Sequence, residues 1–96
     1  MYKLSNRAAE DFGSIYEYTY RQFGCEQADK YTHELDHFLS LLAKNPQAGR
    51  DISDIINGVR RHDYRLHAIF YRQSGCGIFI IRILHQKMNP FLHLGE

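Results

Sequence analysis

No stretch of this chain is long and apolar enough to cross a membrane. The most hydrophobic run, Ile78-Phe79-Ile80-Ile81, falls far short of the ~20 residues a span requires. Met1-Tyr2-Lys3 leads straight into polar sequence, without the apolar region of a secretory leader. Two cysteines, Cys25 and Cys76, are too few for a disulfide framework. They lie far apart beside glycines and read as small fillers with reduced thiols. There is no glycine-rich phosphate loop, no serine in a nucleophile elbow, no repeat, no low-complexity tract and no linker. These absences predict a soluble, cytoplasmic protein with no membrane partner and no implied cofactor. With 96 residues and 44% hydrophobic content, residues 1–96 are expected to form one domain around one core.

Charge is also scarce in net terms, at +1, but it is unevenly spread. Residues 1–56 carry six Lys/Arg against nine Asp/Glu, and residues 57–96 carry six against two. The C-terminal part is therefore the basic one. That asymmetry suits an anionic partner, an acidic peptide or nucleic acid, and it equally suits a solvated basic sheet edge.

What is present organises itself around Gly58 to Asn89. Small residues at Ser74-Gly75-Cys76-Gly77 divide two flanks rich in β-branched and aromatic residues, the pattern of two strands joined by a tight turn. Ala68, Phe70 and Arg72 fall on one face of the first, and His67, Ile69, Tyr71 and Gln73 on the other. The second is apolar at both parities until Arg82, as a central strand would be. Val59 to Asp63 reads as a third strand. Before this unit, Tyr2-Lys3-Leu4 is strand-like, and Ser5 or Asn6 offers an N-cap to a first helix. The stripe Ala8, Phe12, Ile15, Tyr16, Thr19 and Phe23 defines that helix, with Gly24 ending it. Ala28, Tyr31, Leu35, Phe38 and Leu42 define a second, stopped at Asn45-Pro46. Gln47 to Asn57 reads as a loop with one turn near Ile52–Ile56. The expected fold is α+β: an N-terminal strand, an antiparallel helix hairpin, then a three-stranded antiparallel sheet. One sheet face packs on the helices through Phe12, Ile15, Leu35, Phe38 and Leu42.

His33-Glu34-Leu35-Asp36-His37 matches the H-E-x-x-H zinc-hydrolase pattern on a helix. Both histidines lie two residues from Leu35, about 200° round the helix, and Leu35 is in the middle of the core stripe. They should face solvent, so no metal site is assigned. The remaining chemistry is the basic set Arg60, Arg61, His62, Arg65, His67, Tyr71, Arg82 and His85. Arginines with a histidine can cleave RNA without metal, the histidine moving a proton and the guanidiniums holding phosphate oxygens. The same arginines can instead grip the carboxylates of a protein partner.

The order strand, helix hairpin, antiparallel unit resembles the RelE/ParE toxin superfamily, closest to its ParE branch. So do Gly58-x-Arg60, Arg65-x-His67-x-Ile69-x-Tyr71-Arg72, Ile81-Arg82-Ile83-Leu84-His85 with Lys87, and Pro46-x-x-Gly49-Arg50. The resemblance covers nearly the whole chain. It implies a toxin of a type II toxin–antitoxin system, neutralised by a cognate antitoxin with an acidic, partly disordered segment. Arg60, Arg61, Arg65 and Tyr71 are the expected antitoxin contacts. Two activities occur in the superfamily. The ribosome-dependent mRNA endonucleases of the RelE and YoeB type commonly place a tyrosine near the C-terminus, whereas the sequence after His85 contains none. The ParE branch resembles inhibitors of DNA gyrase, which trap its cleaved DNA complex by binding rather than by catalysis. On that reading DNA is contacted only indirectly, through antitoxin or gyrase. Arg82, His85, Lys87, Pro90, Phe91 and Leu92 are then the target-binding residues and none is catalytic. On the endonuclease reading Arg65, Arg82 and His85 become the catalytic set.

Overall fold

The structure is a computed structural model and describes residues 1–94, excepting the side chain of Phe91. Strand β1 (Tyr2–Leu4) is followed by helices α1 (Asn6–Phe23) and α2 (Cys25–Lys44). Strands β2 (Arg50–Asp51), β3 (Arg60–Tyr64), β4 (His67–Ser74) and β5 (Gly77–His85) come next, then one 3₁₀ turn at Pro90–Leu92. The helix hairpin and the β3–β4–β5 unit match expectation. The sheet, however, has five strands rather than three, in the order β1-β5-β4-β3-β2. β1 joins it in parallel on β5, with Lys3 opposite Phe79, and the two-residue β2 adds antiparallel to β3. The sequence predicts β1 as a strand from Tyr2-Lys3-Leu4 but not as a member of this sheet, and it does not predict β2 at all. A parallel pairing between residues so distant in sequence is written only in tertiary contact, and two residues are too few for a period.

Local chemistry explains the helix boundaries. Ser5, not Asn6, is the N-cap: its Oγ accepts from the Ala8 amide at 2.9 Å and donates to the Ile81 carbonyl at 2.7 Å. Its own amide donates to Ile80 O at 2.9 Å, so one serine ends β1 and starts α1. A single residue, Gly24, separates the helices at φ 92°, ψ 173°, a conformation essentially reserved for glycine. Its amide still donates to Tyr20 O and its carbonyl accepts from Ala28, so neither is orphaned.

α1 and α2 cover one sheet face. Leu35, Leu39, Ile69, Tyr71 and Ile80 are fully buried there, with Ile15, Leu42, Ile78 and Ile83, and Phe12 and Phe38 pack at the margin. His33 and His37 are exposed while Leu35 points inward. Phe23, a member of the α1 stripe, is instead exposed in its last turn. The other face carries a smaller cluster of Ile52, Val59, Ala68, Phe70 and Leu84, with Leu94 packed on it. It is covered by chain without regular structure, the turn at Ile52–Ile56 and the segment after Pro90. A bulge lets β5 serve both faces. Phe70 pairs with Arg82 but Tyr71 pairs with Ile80, leaving Ile81 as the extra residue. Ile78, Ile80 and Ile83 thus all face the helices, while Ile81 and Leu84 join the other cluster.

Candidate functional site

The basic residues singled out by sequence do not form one surface. Arg60 points into the loop after α2: Nη1 donates to Gly49 O at 2.7 Å and Nη2 to Gln47 Oε1 at 2.6 Å. Tyr71 completes that clamp, its hydroxyl donating to Pro46 O at 2.8 Å and accepting from the Gly49 amide at 2.9 Å. Gly49 is required because any Cβ there would overlap the Tyr71 ring. Tyr71 is 0% exposed, which corrects its expected place at the antitoxin surface: the phenol closes an internal loop and offers nothing to a partner. Burial keeps it protonated by pushing its pKa up, against the opposing Gly49 amide and Arg60 charge.

Arg65 occupies the β3–β4 turn at φ 54°, in the left-handed region unusual for a side-chain-bearing residue. Its guanidinium pairs with Glu34 of α2 at 2.9 Å and lies over the Tyr31 and Tyr64 rings. Its carbonyl accepts from Gln86 Nε2 at 2.6 Å, and Leu66 O accepts from the Gln86 amide at 2.9 Å. The turn is thereby tied to the chain leaving β5.

Between the helix hairpin and this end of the sheet opens a groove of about 620 Å³. Tyr18 and Phe23 of α1, Leu66 of the turn and Met88 line it, and all four are exposed. Its floor holds Ile83, His67 and His85, with Tyr31 of α2 alongside. The Tyr31 hydroxyl is 2.9 Å from His67 Nδ1, and the rings of His67 and His85 meet edge to face at 5.8 Å. Burial, and then the neighbouring His85, hold the His67 pKa below its usual value, with Asp11 opposing. His67 is therefore neutral near pH 7, and its Nδ1 accepts from Tyr31, whose own pKa burial pushes up. The His85 Nδ1 accepts from the Lys87 amide at 3.1 Å.

Arg82 lies outside the groove lining. It is 9% exposed, and its Nε and Nη2 donate to the two oxygens of Asp11 at 2.8 and 3.0 Å. Asp11 Oδ2 also accepts from the Ile83 amide at 3.0 Å, covering β5 where β1 has ended. Arg82 Nη1 reaches His93 O at 3.3 Å, anchoring the segment beyond the last strand. Lys87, Met88 and Leu92 of that segment are exposed, and Pro90 borders the second cluster near Ile52 and Phe70. The expectation for Phe91 concerns a side chain outside the described residues.

Sequence reasoning thus found His67, His85 and Arg65 and missed Asp11, Tyr18, Leu66 and Met88. Tyr18 did carry a signal: an aromatic residue off the α1 core stripe is better explained by a partner than by the core. Asp11 carried none, since its role depends on where β1 stops.

The three residues of the endonuclease reading, Arg65, Arg82 and His85, do not converge. Arg65 and His85 line the groove, while Arg82 is committed to Asp11. Apolar walls with exposed aromatics suit docking of an amphipathic element.

Residues 2–90 match the family model described as ParE toxin of type II toxin-antitoxin system, parDE. The chain is 39% identical over 94 residues to Toxin ParE1 of Caulobacter vibrioides, covering 98% of this chain and 97% of the relative. It is 38% identical over 89 residues to Toxin ParE1 of Mycobacterium tuberculosis, covering 92% and 91%. In fold it is similar to a chain of the chromosomal ParDE TA system from P. aeruginosa. There the TM-score is 0.74 at 24% identity, over 88% of this chain and 92% of that one.

Proposed function

The chain belongs to the ParE toxin family of type II toxin–antitoxin systems, and we propose that it poisons DNA gyrase in the cytoplasm and is held inactive by a cognate antitoxin. The observation that carries binding over catalysis is the placement of Arg82. A guanidinium with two donors on Asp11 and a third on the His93 carbonyl is a structural anchor, not a free phosphate ligand. What it anchors is the segment Lys87–Leu94, which offers a cation beside exposed Met88 and Leu92. That composition suits a protein target, and a segment already held in place loses less entropy on docking. Arg82 is then a positioning residue for target binding, with Lys87, Pro90 and Leu92 making contact.

The antitoxin is proposed to lay an amphipathic helix in the groove bounded by Tyr18, Phe23, Leu66 and Met88, with acidic residues toward Arg65. Its disordered segment would order on binding.

One observation favours the endonuclease alternative: His67, His85 and Tyr31 share a groove with Arg65. The deciding experiment incubates purified toxin with gyrase, supercoiled DNA and ATP, and in parallel with ribosomes translating a defined message. Trapped cleavage complexes with intact message are expected. Message cut at the ribosomal A site with unaffected gyrase would reassign His85 as a catalyst. Deleting Pro90–Glu96 should abolish action on gyrase while antitoxin binding persists, because the groove lies elsewhere.

A further inference from the structure

The sheet face turned away from the helices is cationic. Tyr2 and Leu4 pack on the helix side, so Lys3 between them points the other way, beside Phe79. Phe79 pairs in turn with Arg72, two residues from Phe70 on the same face. One row along, Phe70 pairs with Arg61 and Arg61 with Arg50. The Arg61 guanidinium lies 5.5 Å from the Phe70 ring centroid, which fixes its side. Lys3, Arg72, Arg61 and Arg50 thus form one diagonal line across all five strands. Four interstrand gaps of ~4.8 Å make it roughly 19 Å long.

Three of these cations, Lys3, Arg50 and Arg72, are exposed and have no carboxylate partner among the described residues. Only Arg61 has a carboxylate, Asp63 at 2.8 Å. Arg50 and Arg61 stand directly opposite each other, an arrangement of like charges that costs stability unless an anion lies between them.

We infer that this outer face is a binding surface for the phosphate backbone of duplex DNA. One DNA strand carries a charge every ~3.4 Å along the axis, so the line spans five to six phosphates. An acidic protein segment is the weaker fit, because protein hot spots set arginine beside large aromatic anchors in fully desolvated pockets, and Lys3, Arg50 and Arg72 are exposed. The line itself offers one half-buried phenylalanine and, at its Arg50 end, the exposed Ile55, whereas four exposed apolar residues gather in the groove. A single strand is disfavoured too, since sequence-tolerant single-strand binding relies on exposed aromatic stacking platforms. The inference does not rest on the gyrase reading and departs from the expectation that DNA is met only through antitoxin or gyrase; a toxin on a cleaved gyrase–DNA complex would meet both components at once.

The test is fluorescence anisotropy of the purified full-length chain with a labelled mixed-sequence 20-bp DNA duplex across a KCl series. Four phosphate contacts predict a log–log salt slope of about −3.6, falling to about −1 in Lys3→Gln/Arg50→Gln/Arg72→Gln. The triple variant should bind at least tenfold more weakly at the lowest salt. Lys30→Gln/Lys44→Gln, which removes exposed charge from α2, should bind like the parent. Circular dichroism confirms that each variant is folded. No salt-dependent binding, or an unchanged triple variant, overturns the inference. So does tighter binding to a poly-glutamate peptide or to a single strand of equal charge. Neither gyrase nor antitoxin is present, so this result stands apart from the tests of the proposed function.

Discussion

The two faces of the sheet are built by different means. Facing the helices, buried side chains from α1, α2, β4 and β5 interlock, and Leu35, Leu39, Ile69, Tyr71 and Ile80 are excluded from solvent. Facing away, a thinner cluster is roofed by a turn and by the segment after Pro90, and its margins carry arginine and lysine. The first face therefore holds the fold, and the second is free to carry charge. The C-terminal segment belongs to both: Arg82 reaches round the edge of β5 to Asp11 on α1 while also holding His93.

The largest expected effect is on the helix-covered face. Leu35→Asp would bury an unpaired carboxylate and should cost at least ~3 kcal/mol, leaving the chain unfolded at 37 °C. A denaturation midpoint equal to the parent's would place α2 the wrong way round. On the other face, Ile52→Ala removes a side chain that packs under irregular chain able to settle. A loss near ~2 kcal/mol is expected, at the low end for such truncations. A loss as large as that of Leu39→Ala, measured in the same denaturant series, would erase the distinction between the faces.

The smallest effect is a pH dependence. The pKa of His67 is lowered in the folded state, chiefly by burial. A group of that kind binds its proton more readily when unfolded, so stability is fully present above pH 6.5 and lost as pH falls below it. Nearby charge comes from Asp11 on α1, His85 on β5, and Arg65 with its partner Glu34. His67→Gln should flatten the decline in melting temperature between pH 7 and pH 5. An unchanged slope would mean that the exposed histidines govern it.

The helix hairpin was legible because Leu35, Phe38 and Leu42 repeat at helical spacing and Gly24 and Asn45-Pro46 punctuate it. β4 and β5 were legible from alternation and from the turn at Ser74–Gly77. β1 and β2 escaped as members of the sheet, because their partners are far away in sequence or they are only two residues long. The site was half legible. Histidines and arginines announce chemistry by type, so Arg65, His67 and His85 stood out. Which guanidinium is spent internally is decided by contacts such as Arg82–Asp11 and Arg60–Gly49, and no spacing in the sequence encodes those.

The parallel pairing of β1 with β5 also bears on aggregation. Until residues 2–4 return to residues 78–80, one edge of the most apolar strand in the molecule is unpaired. Ile78-Phe79-Ile80-Ile81 is then a short, uncharged, β-prone template open to another chain. Closing so long a loop is slow compared with forming the local β4–β5 hairpin, so the exposed edge persists during folding. Once closed, β1 pairs with Ile78–Ile80, the Ser5 amide donates to the Ile80 carbonyl and the Asp11 carboxylate accepts from the Ile83 amide, so a neighbour could pair there only by displacing them. The three N-terminal strand residues thus act as a chaperone built into the chain, guarding the most apolar strand of the sheet.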